Sequence, residues 1–126
     1  MSFLGLFNNM TLAESRVCEG MVDNHSHLIP GVDDGIQKLE DSLAVLDMYE
    51  KLGMKEVYCT PHIMEDFPNA TEKLKDCFAQ LCDAYKGGIK LHLAAEYMID
   101  NLLLHRLSEK ELLPHGVHGE TCPVKR

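Results

Sequence analysis

A strand-like segment recurs every 34 residues in this chain, and nothing else in the sequence restricts its fold as much. Short apolar stretches begin near positions 21, 55 and 89, and each is followed by a polar turn and then a helix-like run. The first strand is expected around Met21 to His25. Its helix follows near Gln37 to Leu52, where Leu39, Leu43 and Leu46 fall on one face and Gly53 supplies the stop. The second strand is expected around Glu56 to Thr60, with a helix from about Ala70 to Lys86 carrying Leu74, Phe78, Leu81 and Tyr85. For that helix Asn69 reads as the N-cap, with Glu72 three residues later and Gly87-Gly88 as the end. The third strand, "IKLHLAAE", alternates Ile89, Leu91 and Leu93 against Lys90, His92 and Ala94, and a helix near Ile99 to Ser108 follows.

Strands alternating with helices at constant spacing imply βα units and a parallel sheet. A solenoid is the competing reading, but the three units share no side-chain signature. A closed βα barrel takes roughly 250 residues, whereas this chain has 126 and three such units. After Pro114, "HGVHGETCPVKR" shows neither alternation nor helical period, so residues 115–126 are expected to be an unstructured tail. Residues 1–20 read as an N-terminal extension and 21–114 as the folded part.

Composition removes several classes of function. Twenty acidic residues against twelve basic ones give a net charge of -8, with no basic stripe for nucleic acid. No apolar run approaches the roughly 20 residues of a membrane span, and the opening "MSFLGLFNN" lacks the parts of a signal peptide. A cytoplasmic location is the default expectation. Cys18, Cys59, Cys77, Cys82 and Cys122 are odd in number and scattered, which indicates reduced thiols rather than a disulfide framework or zinc ribbon. No Cys is followed six positions later by Arg, as a cysteine-dependent phosphatase would require.

Chemistry is concentrated in "DNHSHLIPGVDDG", Asp23 to Gly35. On an extended strand Asp23, His25 and His27 would point to one side, and two imidazoles so spaced can share a metal ion. This pair lies where strand gives way to loop, the edge at which βα proteins place their sites. The second strand ends "CTPH" with His62, and the third ends "AAEY" with Glu96. Asp34 overhangs the same edge from the first loop, while Asp33-Asp34-Gly35 taken alone reads as a turn. Each residue has an ordinary explanation by itself; their shared position at strand ends is what indicates a metal site. His92 sits at the wrong end of its strand, His105 lies within a helix, and His115 and His118 fall in the tail. His118 with Cys122 is a weak candidate for adventitious zinc.

With these residues assembled, the chain resembles the PHP (polymerase and histidinol phosphatase) family. Its nearest likeness is to the capsule and exopolysaccharide branch of manganese-dependent tyrosine phosphatases. The likeness is carried by "DNHSHLIPGVDDG", "SLAVLDMYEKLGMKEVYCTPHI" and "AAEYMID", and it spans about Met21 to Pro114. It implies an α/β fold, the N-terminal part of a TIM-like (βα)7 barrel with up to three metal ions at its C-terminal edge. By the same resemblance His25 and His27 would ligate one ion, Glu96 would bridge it to a second, and Asp34 and His62 would ligate the third. The ions would be Mn²⁺, with Fe or Zn as alternatives. The reaction implied is phosphomonoester hydrolysis by metal-bound hydroxide, with the phosphotyrosine of a capsule tyrosine kinase as substrate.

Later family ligands, a further Glu and His and an Asp-x-His pair, have no counterpart here, nor does the family's phosphate-binding Arg. The chain therefore reads as a truncated or frameshifted N-terminal half. A half-barrel would leave an unpaired edge strand and exposed apolar faces, a hazard for self-association. The open alternatives are a small-metabolite phosphatase of the histidinol-phosphatase type, a non-catalytic metal-binding fragment, and an amidohydrolase, which also opens with H-x-H.

Overall fold

The 34-residue repeat is the register of a parallel sheet. In the computed structural model, which describes residues 10–115 and 119–122, strand β1 (Val22–Ser26) pairs with β2 (Glu56–Cys59), and β2 pairs with β4 (Lys90–Leu93). Val22 lies opposite Glu56, and Glu56 lies opposite Lys90. Equal intervals in sequence thus place equivalent positions side by side. A second, two-stranded parallel sheet repeats the interval, with β3 (His62–Ile63) against β5 (Glu96–Tyr97) and His62 opposite Glu96. The architecture is mixed α/β with parallel strands.

Helices α2 (Leu39–Lys51) and α3 (Thr71–Ala84) cover one face of the main sheet, a short α1 (Leu12–Ser15) precedes β1, and α4 (Asn101–Glu109) follows β5. Val57 and Cys59, alternate residues of β2, are fully buried, and so are Leu91 of β4, Leu46 of α2 and Leu74 and Leu81 of α3. Each such side chain contributes roughly 1.5–3 kcal/mol through removal from water. Helix α2 ends where expected: Gly53 takes φ +82°, a conformation that favours glycine. Among the described residues no helix is long and apolar enough to cross a membrane.

Several details differ from the expectations. β1 carries an irregularity between Asp23 and Ser26, and Asp23 is not among the residues whose ligand atoms gather with those of His25 and His27. Asp23 pairs in register with the buried Val57, and its carboxylate accepts a 3.0 Å hydrogen bond from Tyr49 of α2. Helix α3 starts at Thr71 with Ala70 at the N-cap position and no side-chain cap, and it stops at Ala84, before the two glycines. Asn69 is buried and its side chain is used elsewhere.

The tail is a further correction. Glu120–Thr121 form β6, antiparallel to β4, with His92 opposite Thr121 and Leu93 opposite Glu120. Cys122 is joined to Cys82 of α3 by a disulfide, so these two cysteines are not the reduced thiols expected. Strand pairing and a covalent tie to α3 hold a segment whose sequence has no pattern of its own, and β6 pairs the edge of β4 that was expected to stay open. His118 lies outside the described residues, and with Cys122 in the disulfide that pair offers no zinc thiolate.

Candidate metal centre

The candidate ligands lie at or just beyond the C-terminal ends of the main-sheet strands β1, β2 and β4, because parallel strands in constant register bring those ends to one edge. His25 belongs to β1 and His27 follows it; His62 opens β3 and Glu96 opens β5. The geometry centres on one oxygen. Glu96 Oε2 lies 3.1 Å from His25 Nε2, 3.1 Å from His27 Nε2 and 3.3 Å from His62 Nδ1. The two Nε2 atoms of His25 and His27 are 3.2 Å apart. On the far side of the His62 ring, Nε2 is 3.2 Å from Asp34 Oδ1. All five residues singled out from the sequence are brought together, as two groups that share the His27–His62 neighbourhood.

Asp33 is the member that sequence reasoning missed. Its side chain is completely buried, and Oδ2 accepts from His27 Nδ1 at 2.8 Å and from the His62 backbone N–H at 2.9 Å. Oδ1 accepts from the Gly35 N–H at 2.9 Å. Burial alone would push this carboxyl up. The hydrogen bonds from His27, His62 and Gly35, with the charge of His27, outweigh it and hold Asp33 below its ordinary value. With donors on both oxygens, Asp33 is placed to orient His27 and the backbone of His62. The sequence held one signal for this: Gly35. A Cβ at that position would overlap Cβ and the carbonyl oxygen of His27, so the Asp-Asp-Gly turn presses directly on the histidine that Asp33 orients.

Committing His27 Nδ1–H to Asp33 fixes the tautomer of a neutral ring, and Nε2 then presents a lone pair. That lone pair faces Glu96 Oε2, itself an acceptor, at 3.1 Å. Two acceptors so close are reconciled by a positive charge between them, either a proton on the ring or a metal ion. Imidazole nitrogens and carboxylate oxygens in this mixture suit Mn, Fe and Zn, so the donor set fits a divalent transition metal.

Two other groups are set apart from this chemistry. His92 is buried on β4, with Nε2 2.7 Å from Glu56 Oε2, Nδ1 2.9 Å from Thr121 Oγ1, and its ring stacked on Tyr58. It ties three strands together. Cys59 ends β2 close to the site edge, but burial pushes its thiol up to about 12 and leaves essentially no thiolate for nucleophilic attack.

A parallel α/β sheet at whose edge three histidines share one glutamate oxygen presents a candidate metal centre. The family model for capsular polysaccharide synthesis proteins of the CpsB/CapC type matches residues 21–116, and the chain belongs to that family. A Staphylococcus aureus protein named "Putative tyrosine-protein phosphatase CapC" is 26% identical over 96 residues, covering 73% of this chain and 38% of that protein. The family thus corresponds to the capsule branch that the His-x-His, Asp-Asp-Gly and Thr-Pro-His motifs resemble.

Proposed function

We propose that this chain carries the N-terminal ligand set of a manganese-dependent phosphomonoesterase that acts on protein phosphotyrosine in the control of capsule synthesis. Residues 21–114 would form the first part of a TIM-like (βα)7 barrel, with residues 1–20 as an extension. One observation supports this reading above the others: three imidazole nitrogens converge within 3.3 Å on a single oxygen of Glu96. The family membership and the name of the Staphylococcus aureus relative agree with it.

His25, His27 and Glu96 would hold one Mn²⁺ ion, and Asp34 with His62 would hold another, with Fe or Zn able to replace it. A bound divalent cation supplies Lewis-acid polarisation and charge neutralisation at the phosphoryl oxygens. The chain's own residues set this up. Asp33 fixes the His27 tautomer and the position of His62, Gly35 allows the loop to approach, and Glu96 offers one anionic oxygen to three rings. A covalent route through Cys59 is closed by its burial.

The proposed setting is the cytoplasm. Copies of this chain would associate through exposed apolar side chains such as Ile99, which precedes α4, and Leu104 within it, 88% and 60% exposed.

The test is hydrolysis of a phosphotyrosine peptide and of p-nitrophenyl phosphate with added Mn²⁺, comparing the chain with a His25→Ala, His27→Ala double variant. Turnover that requires Mn²⁺ and is abolished in the variant supports the proposal. Mn²⁺ binding with no turnover supports a second reading, a non-catalytic metal-binding unit, which the 38% coverage of the relative keeps in view. Turnover of histidinol phosphate but not phosphotyrosine would move the assignment to small-metabolite phosphatases.

A further inference from the structure

Asn69 stands where an N-cap is expected, yet it does not cap. Asn is among the best N-cap residues. Helix α3 nevertheless begins without any side-chain cap. The Asn69 amide instead turns away from its own helix: Nδ2 donates to the carbonyl of Val32 at 2.8 Å and to the carbonyl of His62 at 3.0 Å. Both acceptors flank the metal centre. Val32 precedes Asp33 and Asp34, and His62 is itself a candidate ligand.

These bonds close a ring. Asp33 Oδ2 accepts from the His62 N–H, and Asn69 Nδ2 joins the His62 carbonyl back to Val32, one residue before Asp33. The loop bearing Asp34 and the strand bearing His62 are therefore tied on both sides of His62. Asn69 is only 6% exposed and its bond to Val32 is buried, while the two bonds at His62 are part-buried. Asn69 is fixed in turn by Arg106 of α4, a buried cation whose Nη2 donates to the Asn69 carbonyl at 2.5 Å.

We propose that Asn69 is a positioning residue of the metal centre, its amide setting the distance between the Asp34 loop and His62. This rests on the metal-site reading above, and two measurements separate the two claims. The first needs no metal: backbone amide exchange at His62, relative to Val57 in β2, in the metal-free protein. Asn69→Ala should accelerate His62 exchange about tenfold relative to Val57, the scale expected for losing a hydrogen-bonded clamp. Leu74→Ala, which removes a fully buried α3 side chain that makes none of the ring's hydrogen bonds, should shift both amides together.

The second is Mn²⁺ affinity by calorimetry. Asn69→Ala should weaken it about 10- to 100-fold, as for other residues that orient metal ligands, while Leu74→Ala should leave it unchanged. Asn69→Ser retains one donor; it should fall between wild type and Asn69→Ala, and it serves alone if the alanine variant does not fold. Unchanged His62 exchange, or an equal loss of affinity in Leu74→Ala, overturns the proposal. A wild-type chain that fails to bind Mn²⁺ overturns the metal-site reading instead, and the exchange measurement then still decides whether Asn69 ties the two segments.

Discussion

Asp33 Oδ2 accepts a 2.8 Å hydrogen bond from His27 Nδ1, and this bond determines which nitrogen of His27 faces the other candidate ligands. Asparagine at position 33 is nearly isosteric but cannot accept at both oxygens. One of the three donors now served would meet an amide NH₂. Asp33→Asn is expected to weaken Mn²⁺ binding about 10- to 100-fold, the usual range for a carboxylate behind a ligating histidine. Calorimetric titration of the two proteins checks this, and equal affinities would refute an orienting role for Asp33.

Acid should also reveal Asp33. Its carboxyl titrates below the ordinary 3.8 in the folded chain, because three hydrogen bonds to the charged form outweigh the cost of burial. A carboxyl depressed by folding adds stability that is fully present above its unfolded value and disappears as pH falls through its folded value. The metal-free wild type should therefore lose stability below about pH 3.8, and Asp33→Asn should show a shallower loss across the same window. Thermal unfolding followed by circular dichroism between pH 5 and the acid limit gives the comparison, and parallel curves would exclude the effect.

What could be read from the sequence was what depends on period and position. The interval of 34 became strand register, and His25, His27, Asp34, His62 and Glu96 met at one edge because parallel strands end together. What could not be read depends on direction and on contacts distant in sequence. Adjacent Asp33 and Asp34 look alike in the sequence, and only the fold turns one inward under His27 and the other toward His62. Asn69 carries a local capping signal that two distant carbonyls override. Simple alternation grouped Asp23 with the histidines, but its carboxylate accepts from Tyr49 and stays out of the cluster. The tail has no pattern, so its pairing with β4 is supplied by β4 and by Cys82.

The Cys82–Cys122 link closes a loop over a sequence separation of 40 residues. A cross-link of that span lowers the entropy of the unfolded chain by an amount worth roughly 3–4 kcal/mol. Oxidised protein should therefore unfold at higher urea concentration than protein in dithiothreitol, and Cys82→Ser should remove the difference. Cys59 gives an internal contrast: buried, with its thiol pushed up to about 12, it should resist iodoacetamide until the chain unfolds. Peptide mapping by mass spectrometry reads both, and rapid native alkylation of Cys59 would contradict its burial.

Glu96 is the residue on which the candidate centre turns. Its Oε2 is within 3.3 Å of nitrogens from His25, His27 and His62, so one anionic oxygen serves three rings from two segments. Glu96→Gln keeps the size of the side chain and an acceptor oxygen but removes the charge. If Glu96 served only to hydrogen-bond protonated histidines, the glutamine would preserve most of the arrangement and Mn²⁺ affinity would change little. If it is a ligand, the affinity should fall further than in Asp33→Asn, because a ligand is lost rather than the orientation of one. Glu96 is half-exposed, 39% at the side chain, so the thermal midpoint of Glu96→Gln should stay close to wild type. Calorimetry with Mn²⁺ on Glu96→Gln, Asp33→Asn and wild type therefore ranks the three. The order wild type, then Asp33→Asn, then Glu96→Gln is expected, and any order that leaves Glu96→Gln close to wild type removes Glu96 from the ligand set.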